Sequence, residues 1–410
     1  MAQLQEVVVV DAVRSAIGKS GVDGMKKNGQ LCQASAQELL AAVMRGLLDR
    51  VKAKSPRFDE HIIEDVIIGC LSQIGEQGSD IARIAALLAG IPQEACGCTV
   101  NQFCNAGLKA IMFGAQSIQV GNGDAMVCGG VELMSHYPIW SDIEVAKKAG
   151  MPVRFTSRLG EIGMDVMQGL CAEKISEDEG HTREDLDRFG MWSMQKAVMA
   201  QRNGWFANII PFETTWEGET RRAEVDEVLR PQAVDDPDTY WQGLAKLRTP
   251  FKENGRVTPG NASQIVDAAA AVLLMSAKKA EQLDLEPLAI IRSLAVAGGE
   301  PMPMLLAPIP AVKKALKRAG KTIDDMNIIE PNEAFATPCL AFANAFGYAY
   351  DDPRVNPTGG AIALGHPIGA TGAFYFGEMV HHLKRTGGKY GLQMICGGGG
   401  LGIAAIVEAV

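Results

Sequence analysis

The sequence predicts an α/β fold of two duplicated α/β halves, with a different region inserted between them. Three observations carry this prediction. Short apolar, β-branched runs alternate with stretches of helical spacing toward both ends of the chain. The pentapeptide MVCGG at 126–130 returns as MICGG at 394–398, each time after a helical stretch. Residues 135–246 break the pattern, being richer in charge and Trp and less regular.

Residues 7–10 (VVVV) read as a buried strand. Leu39, Leu40, Val43 and Leu47 give 37–49 a helical period. Residues 66–70 read as a strand and 81–89 as a helix. In CTVNQFCNAGLKAIMFGAQSIQVGNG the first part is strand-like. From Cys104 onward Leu108, Met112, Ala115 and Ile118 share one helical face, and Gly121 stops the helix. Residues 125–131 read as a strand. Within the insertion, 183–202 is an amphipathic helix. The second half repeats the grammar: strand 288–291, helix 309–318, strand 327–330 and helix 333–344. The stretch ALGHPIGATGAFYFGEMVHHLKRTGGK reads as a helix entered through His366 and closed by Gly387 and Gly388. Strands at 393–398 and 403–407 follow. The implied division is an N-terminal half of 1–134 plus 247–285, an inserted covering region of 135–246 and a C-terminal half of 286–410. Such an insertion either covers an active site or serves packing alone.

With 410 residues, 47% of them hydrophobic and 21% charged, the chain buries a large core. A formal net charge of −9 and the lack of a Lys/Arg run speak against nucleic acid as a partner. An anionic small ligand stays compatible, since a few Arg residues and helix N-termini suffice to bind one. The first residues lack the basic and apolar segments of a signal peptide. The longest apolar run, around 268–275, is too short to span a membrane. Nine scattered cysteines argue against a disulfide framework and for a reducing, cytoplasmic setting.

Cys104 sits where a strand gives way to a helix. The partial positive charge and free N–H groups of a helix N-terminus are expected to lower its pKa from about 8.5. The plainer reading is a small buried cysteine. In NPTGGAIALGHPIGATG, 356–372, glycines allow tight turns and present His366 at the mouth of a helix, whose positive end disfavours imidazolium and leaves a neutral ring able to accept a thiol proton or donate to a carbonyl oxygen. Cys396 heads four consecutive glycines, whose bare N–H groups suit an oxyanion hole or simply a hinge. Asn332, in PNEAF, is either a helix N-cap or the holder of a water aimed at a carbonyl. Cys96 and Cys98 lack the further ligands of a zinc site and read as core or pocket wall. His381 and His382 read as a solvated helix flank, and Glu177, Asp178 and Glu179 as acidic surface.

Taken together, NQFCNAGLKA, NEAFA, GHPIGATG and CGGGG, in that order, resemble the thiolase family of acyl-CoA acetyltransferases. The resemblance runs from VDAVRSAIGK at 10–19 to CGGGGLGIA at 396–404. It implies a thiolase-like fold, a layered αβαβα core, and CoA-dependent cleavage of a 3-ketoacyl-CoA. It implies Cys104 as the acylated nucleophile, His366 as its activator and Cys396 as acid/base at the α-carbon of acetyl-CoA. One oxyanion hole is implied at His366 with a water on Asn332, the other at the N–H groups of Cys104 and Gly398. Arg230 and Ser263 match coenzyme A-binding positions. CoA and acyl-CoA are substrates, with no tightly bound cofactor and no metal, and a homodimer or tetramer is expected. The chain departs from the family at Asn105 and Ala106, in IGMDVMQGL at 162–170, and in NPTGG; these changes fall on the acyl pocket and coenzyme A loop. VELMSHYPI, 131–139, inclines the reading to a degradative role. Two alternatives remain: a decarboxylating ketosynthase, which would want a second His near Asn332, and a non-catalytic subunit of a pathway complex.

Overall fold

A computed structural model of the chain describes residues 4–20, 29–153, 158–164, 166–216 and 218–410. Asp165 of the altered 162–170 stretch and the first three residues of the N-terminal stretch lie outside them. Nine principal strands build the core: β1 (Val7–Ser15), β2 (Ile63–Gly69), β3 (Cys96–Val100), β4 (Ala125–Leu133), β5 (Val266–Ser276), β6 (Ala289–Gly298), β7 (Ile328–Pro331), β8 (Tyr390–Gly397) and β9 (Leu401–Ala409). Their spatial order is β7-β8-β9-β6-β1-β5-β4-β2-β3.

This order contains the duplication. In the first half β2 and β4 run parallel, β4 and β5 antiparallel, and β5 and β1 antiparallel. In the second half β7 and β8, β8 and β9, and β9 and β6 repeat those three relations. The matching pentapeptides occupy equivalent strands, β4 and β8. The halves join at β1 and β6 through the pairs Val8↔Ile290 and Val9↔Ala289. β3 continues the first half outward, and an isolated bridge from Ile329 to Val355 stands at the corresponding edge of the second.

Helices α1 (Ala36–Lys54) and α2 (Ile81–Leu88) pack on the outer face of the first half. Two further helices, α3 (Ala106–Gln119) and α8 (Thr371–Thr386), pack against each other between the halves. The insertion supplies α4 (Gln168–Asp178) and α5 (Arg183–Arg202). α6 (Pro308–Ala319) covers the outer face of the second half, and α7 (Ala336–Phe346) packs on α4 and α5. The α5 bounds match the sequence reading, and Thr182 with Asp185 closes a capping box at its start. The result is the layered αβαβα arrangement.

Small residues set the distance between α3 and α8. A methyl group on Gly372 would lie 2.0 Å from the Leu108 nitrogen, and one on Gly107 2.9 Å from the Ala373 nitrogen. Two buried polar side chains, Glu132 and Arg14, lock loops around this pair. Glu132, at the end of β4, accepts N–H groups from Leu71, Ser72 and Gly369 and the Gln77 amide, so it ties both halves together. Arg14 in β1 holds Asp226 of the insertion at 2.8 Å and Glu378 of α8 at 2.6 Å, 1% exposed.

Three helix starts lie two or more residues after the positions the sequence suggests. α3 begins at Ala106 rather than Cys104, and α7 at Ala336 rather than 333. α8 begins at Thr371, five residues after His366, because a separate short turn, Ala361–Leu364, ends at Gly365 with φ +96°. Cys104, Asn332 and His366 therefore stand ahead of their helices rather than in them. The apolar run at 268–275 is a central strand, buried along its full length. Cys96 and Cys98 are exposed on edge strand β3, not in a core, because no described strand pairs with its outer edge.

Candidate active site

Cys104 follows Phe103, whose φ of +52° is left-handed for a residue with a side chain and costs of order 1 kcal/mol. Asn101 fixes the turn by accepting the Phe103 N–H at 3.0 Å. Cys104 is 5% exposed, and burial pushes its thiol up to about 12. The N–H groups of Cys104 and Gly398 and the side chain of Gln168 oppose that rise; the Glu132 charge adds to it. The expected lowering is thus overturned: two or three donors do not compensate for removal from water.

His366 is held by its own N–H on the Gln264 carbonyl at 2.9 Å. Its Nδ1 lies 2.6 Å from Thr371 Oγ1, and the Thr371 hydroxyl donates to the Pro367 carbonyl at 3.0 Å. That hydroxyl has one hydrogen, so it receives the Nδ1–H and leaves Nε2 as the free lone pair. Nε2 is buried with no partner among the described residues. Burial pulls the imidazole down to about 4, so the ring is neutral. Burial, rather than a helix end, produces that neutrality.

Cys396 lies near the end of β8, 1% exposed. Its thiol is raised by burial and then by the charge of the neighbouring Cys104. Asn332 follows β7, its N–H on the Met394 carbonyl at 2.9 Å, two residues before Cys396. It caps no helix: both its side-chain polar atoms are buried and unpartnered. Asn332 and Thr371 line the same narrow internal cleft. Such orphaned groups suit a water or a substrate carbonyl. Four loops thus converge: Cys104 before α3, Asn332 before α7, His366 before α8 and the glycine turn after Cys396.

The neighbouring Glu333 is structural. It accepts Ser193, Asn356 and the Ile362 N–H and so fastens the insertion to the catalytic loops. Ser263 borders the site, its N–H on the Ala334 carbonyl at 3.0 Å. Arg230 is exposed on the insertion, with its side chain against Tyr240. Gln168 and Thr371 escaped the sequence reading. Only position could have found them: Thr371 lies five residues after His366, and Gln168 heads α4.

Other sequence readings resolve as follows. His381 Nε2–H donates to the Ala12 carbonyl at 2.7 Å, and His382 is 8% exposed against Trp205 and Arg385. They are not solvated, because α8 runs through the centre of the molecule. Glu177 and Asp178 do form acidic surface, paired with Lys252 and Lys174. Among the described residues no helix is long and apolar enough to cross a membrane.

Comparison with known proteins agrees with this geometry. A model of the thiolase N-terminal domain matches residues 7–278, and one of the C-terminal domain matches 285–409. The 3-oxoadipyl-CoA/3-oxo-5,6-dehydrosuberyl-CoA thiolase of Escherichia coli (strain K12) is 39% identical, covering 99% of this chain and 100% of that protein. A 3-ketoacyl-CoA thiolase of Idiomarina loihiensis is 40% identical over the same shares. The crystal structure of the Bacillus anthracis acetyl-CoA acetyltransferase superposes with a TM-score of 0.86 at 33% identity, covering 100% of both chains. The chain belongs to the thiolase family.

Proposed function

We propose that this thiolase cleaves a 3-ketoacyl-CoA with CoA, in a degradative role, through an acyl group on Cys104. The observation that carries the reading is the free Nε2 of buried, neutral His366 among the loops that hold Cys104, Asn332 and Cys396.

His366 Nε2 takes the proton of Cys104 as its sulfur attacks the ketone. The oxygen of the resulting adduct develops charge beside the N–H groups of Cys104 and Gly398, which already act to lower the Cys104 thiol. The C–C bond then breaks, leaving an acyl thioester on Cys104 and the enolate of acetyl-CoA. The imidazolium and a water on Asn332 stabilise the enolate oxygen, and the Cys396 thiol protonates its carbon. CoA next gives its proton to the Cys396 thiolate and attacks the acyl thioester. Cys104 leaves and recovers its proton from His366. Burial supports this order: neither thiol ionises at rest, so each thiolate arises only with its proton acceptor or substrate in place.

Coenzyme A binding is assigned to Ser263, at the border of the catalytic loops, and to Arg230 on the inserted region. The domain division proposed is 1–134 with 247–285, 135–246 and 286–410. A homodimer or tetramer is supported by the unpaired outer edge of β3 and by exposed Leu87, Leu88 and Phe113. A cytoplasmic location is supported by the absence of any disulfide among the described residues. The test is direct. The protein is incubated with a 3-ketoacyl-CoA and its peptides are mapped by mass spectrometry. Acylated Cys104 is expected; folded protein with unmodified Cys104 would end this reading.

A further inference from the structure

The relatives differ in whether the acyl chain ends in a carboxylate, and the segment over Cys104 bears on that choice. Three contacts define the wall beside the nucleophile. A methyl on Gly399 would meet Met164 Cε at 2.6 Å, so the thioether rests directly on the glycine turn. A methyl on Gly163 would lie 3.3 Å from Met302 Cβ, and one on Gly398 3.4 Å from the Phe103 ring. Phe103, Met164 and Met302 are all uncharged. Among the described residues of 162–170 the one polar side chain is Gln168, which acts to lower the Cys104 thiol. Ile162 and Met167, 55% and 61% exposed, extend the apolar surface outward.

Two acidic residues, Glu300 and Glu161, stand near the described part of this wall. The Glu300 backbone carbonyl packs against Gly400, and its side chain is exposed. Glu161 is exposed at the end of the turn that precedes Met164. Among the described residues of 158–170 the one cation is Arg158, a single turn from Glu161. A carboxylate buried against thioethers without a partner is strongly disfavoured. Flexible methionines instead adapt to apolar chains of varied shape.

We propose that Met164, Met302 and Phe103 form an apolar acyl wall, so that the enzyme takes 3-ketoacyl chains with an uncharged end and rejects those ending in a carboxylate. This rests on the thiolase reading above. The acyl-transfer step is unchanged; the wall acts on the part of the chain beyond the reacting ketone.

The experiment compares thiolysis of 3-oxooctanoyl-CoA and 3-oxoadipyl-CoA by the full chain, with Cys104 acylation mapped for each. The uncharged chain is expected to have the higher kcat/KM by about tenfold or more. Met164→Lys is expected to narrow that ratio by about tenfold, because it supplies the missing cation. Equal or better turnover of 3-oxoadipyl-CoA by the wild type overturns the proposal while leaving the thiolase reading intact; its loss in Arg158→Ala would assign the recognition to Arg158. An unchanged ratio in Met164→Lys removes Met164 from the wall and overturns the assignment. If neither substrate acylates Cys104, the thiolase reading fails and the proposal falls with it.

Discussion

His366 Nδ1 stands 2.6 Å from Thr371 Oγ1, whose only hydrogen goes to the Pro367 carbonyl. This chain of two bonds selects the tautomer that leaves Nε2 free to take a proton. Thr371→Val removes the acceptor but keeps the shape, and kcat for thiolysis is expected to fall about ten- to a hundredfold. Thr371→Ser should retain most activity. Wild-type kcat in Thr371→Val would show that the tautomer is set elsewhere.

Cys104 and His366 rest as a neutral thiol and a neutral imidazole, with the thiol near 12 and the ring near 4. Iodoacetamide labelling of Cys104 in the free enzyme is therefore expected to rise with pH throughout the range 6–9. A plateau beginning near pH 6 or 7 would reveal a thiolate–imidazolium pair and contradict the assignment.

Gln168 is a positioning residue for the nucleophile. Gln168→Met keeps the length and removes the donor to sulfur. Labelling of Cys104 at pH 9 should slow about three- to tenfold, the effect of a pKa rise of about half to one unit. Gln168→Glu should slow it further, by adding negative charge. Labelling at the wild-type rate in both variants would place Gln168 outside the site's electrostatics.

His382 titrates near 4 in the folded chain, pulled down by burial and by Arg385. Its ordinary value is about 6.5. The unfolded chain thus binds a proton between about pH 6.5 and 4 that the folded chain refuses, so stability falls as pH drops through that window. His382→Gln removes this site. Its Tm should decline less steeply than the wild type's between pH 7 and 4; parallel declines would mean that His382 does not contribute.

Gly372 touches the backbone of Leu108 closely enough that no side chain fits. Gly372→Ala should force α3 and α8 apart and destabilise the chain by about 1–3 kcal/mol or more. The readout is Tm or soluble yield. An unchanged Tm would show that the helices slide at no cost.

Much of the molecule was readable from local pattern. Val7–Val10, Leu39–Leu47 and the repeated pentapeptide report strand and helix periods, which depend on neighbours a few residues away. The catalytic motifs were readable for the same reason: glycine-rich loops such as GHPIGATG exist to adopt particular turns. The helices expected from Cys104, Glu333 and His366 begin further along, since each of these residues sits in a segment whose shape is fixed by distant partners such as Gln264 and Met394.

By itself the sequence determined the duplicated α/β plan and the family, because those rest on short-range period and ordered motifs; it also named Cys104, Asn332, His366 and Cys396 as the candidates for chemistry. Tertiary structure alone decided how the residues behave. It buried Cys104 deeply enough to reverse the expected pKa shift, turned His366 through Thr371, and brought Gln168 onto the sulfur. It also enclosed His382 and left Cys96 and Cys98 on an open edge. Burial and proximity are sums over residues far apart in the chain, so desolvation and long-range contact cannot be read from a local motif.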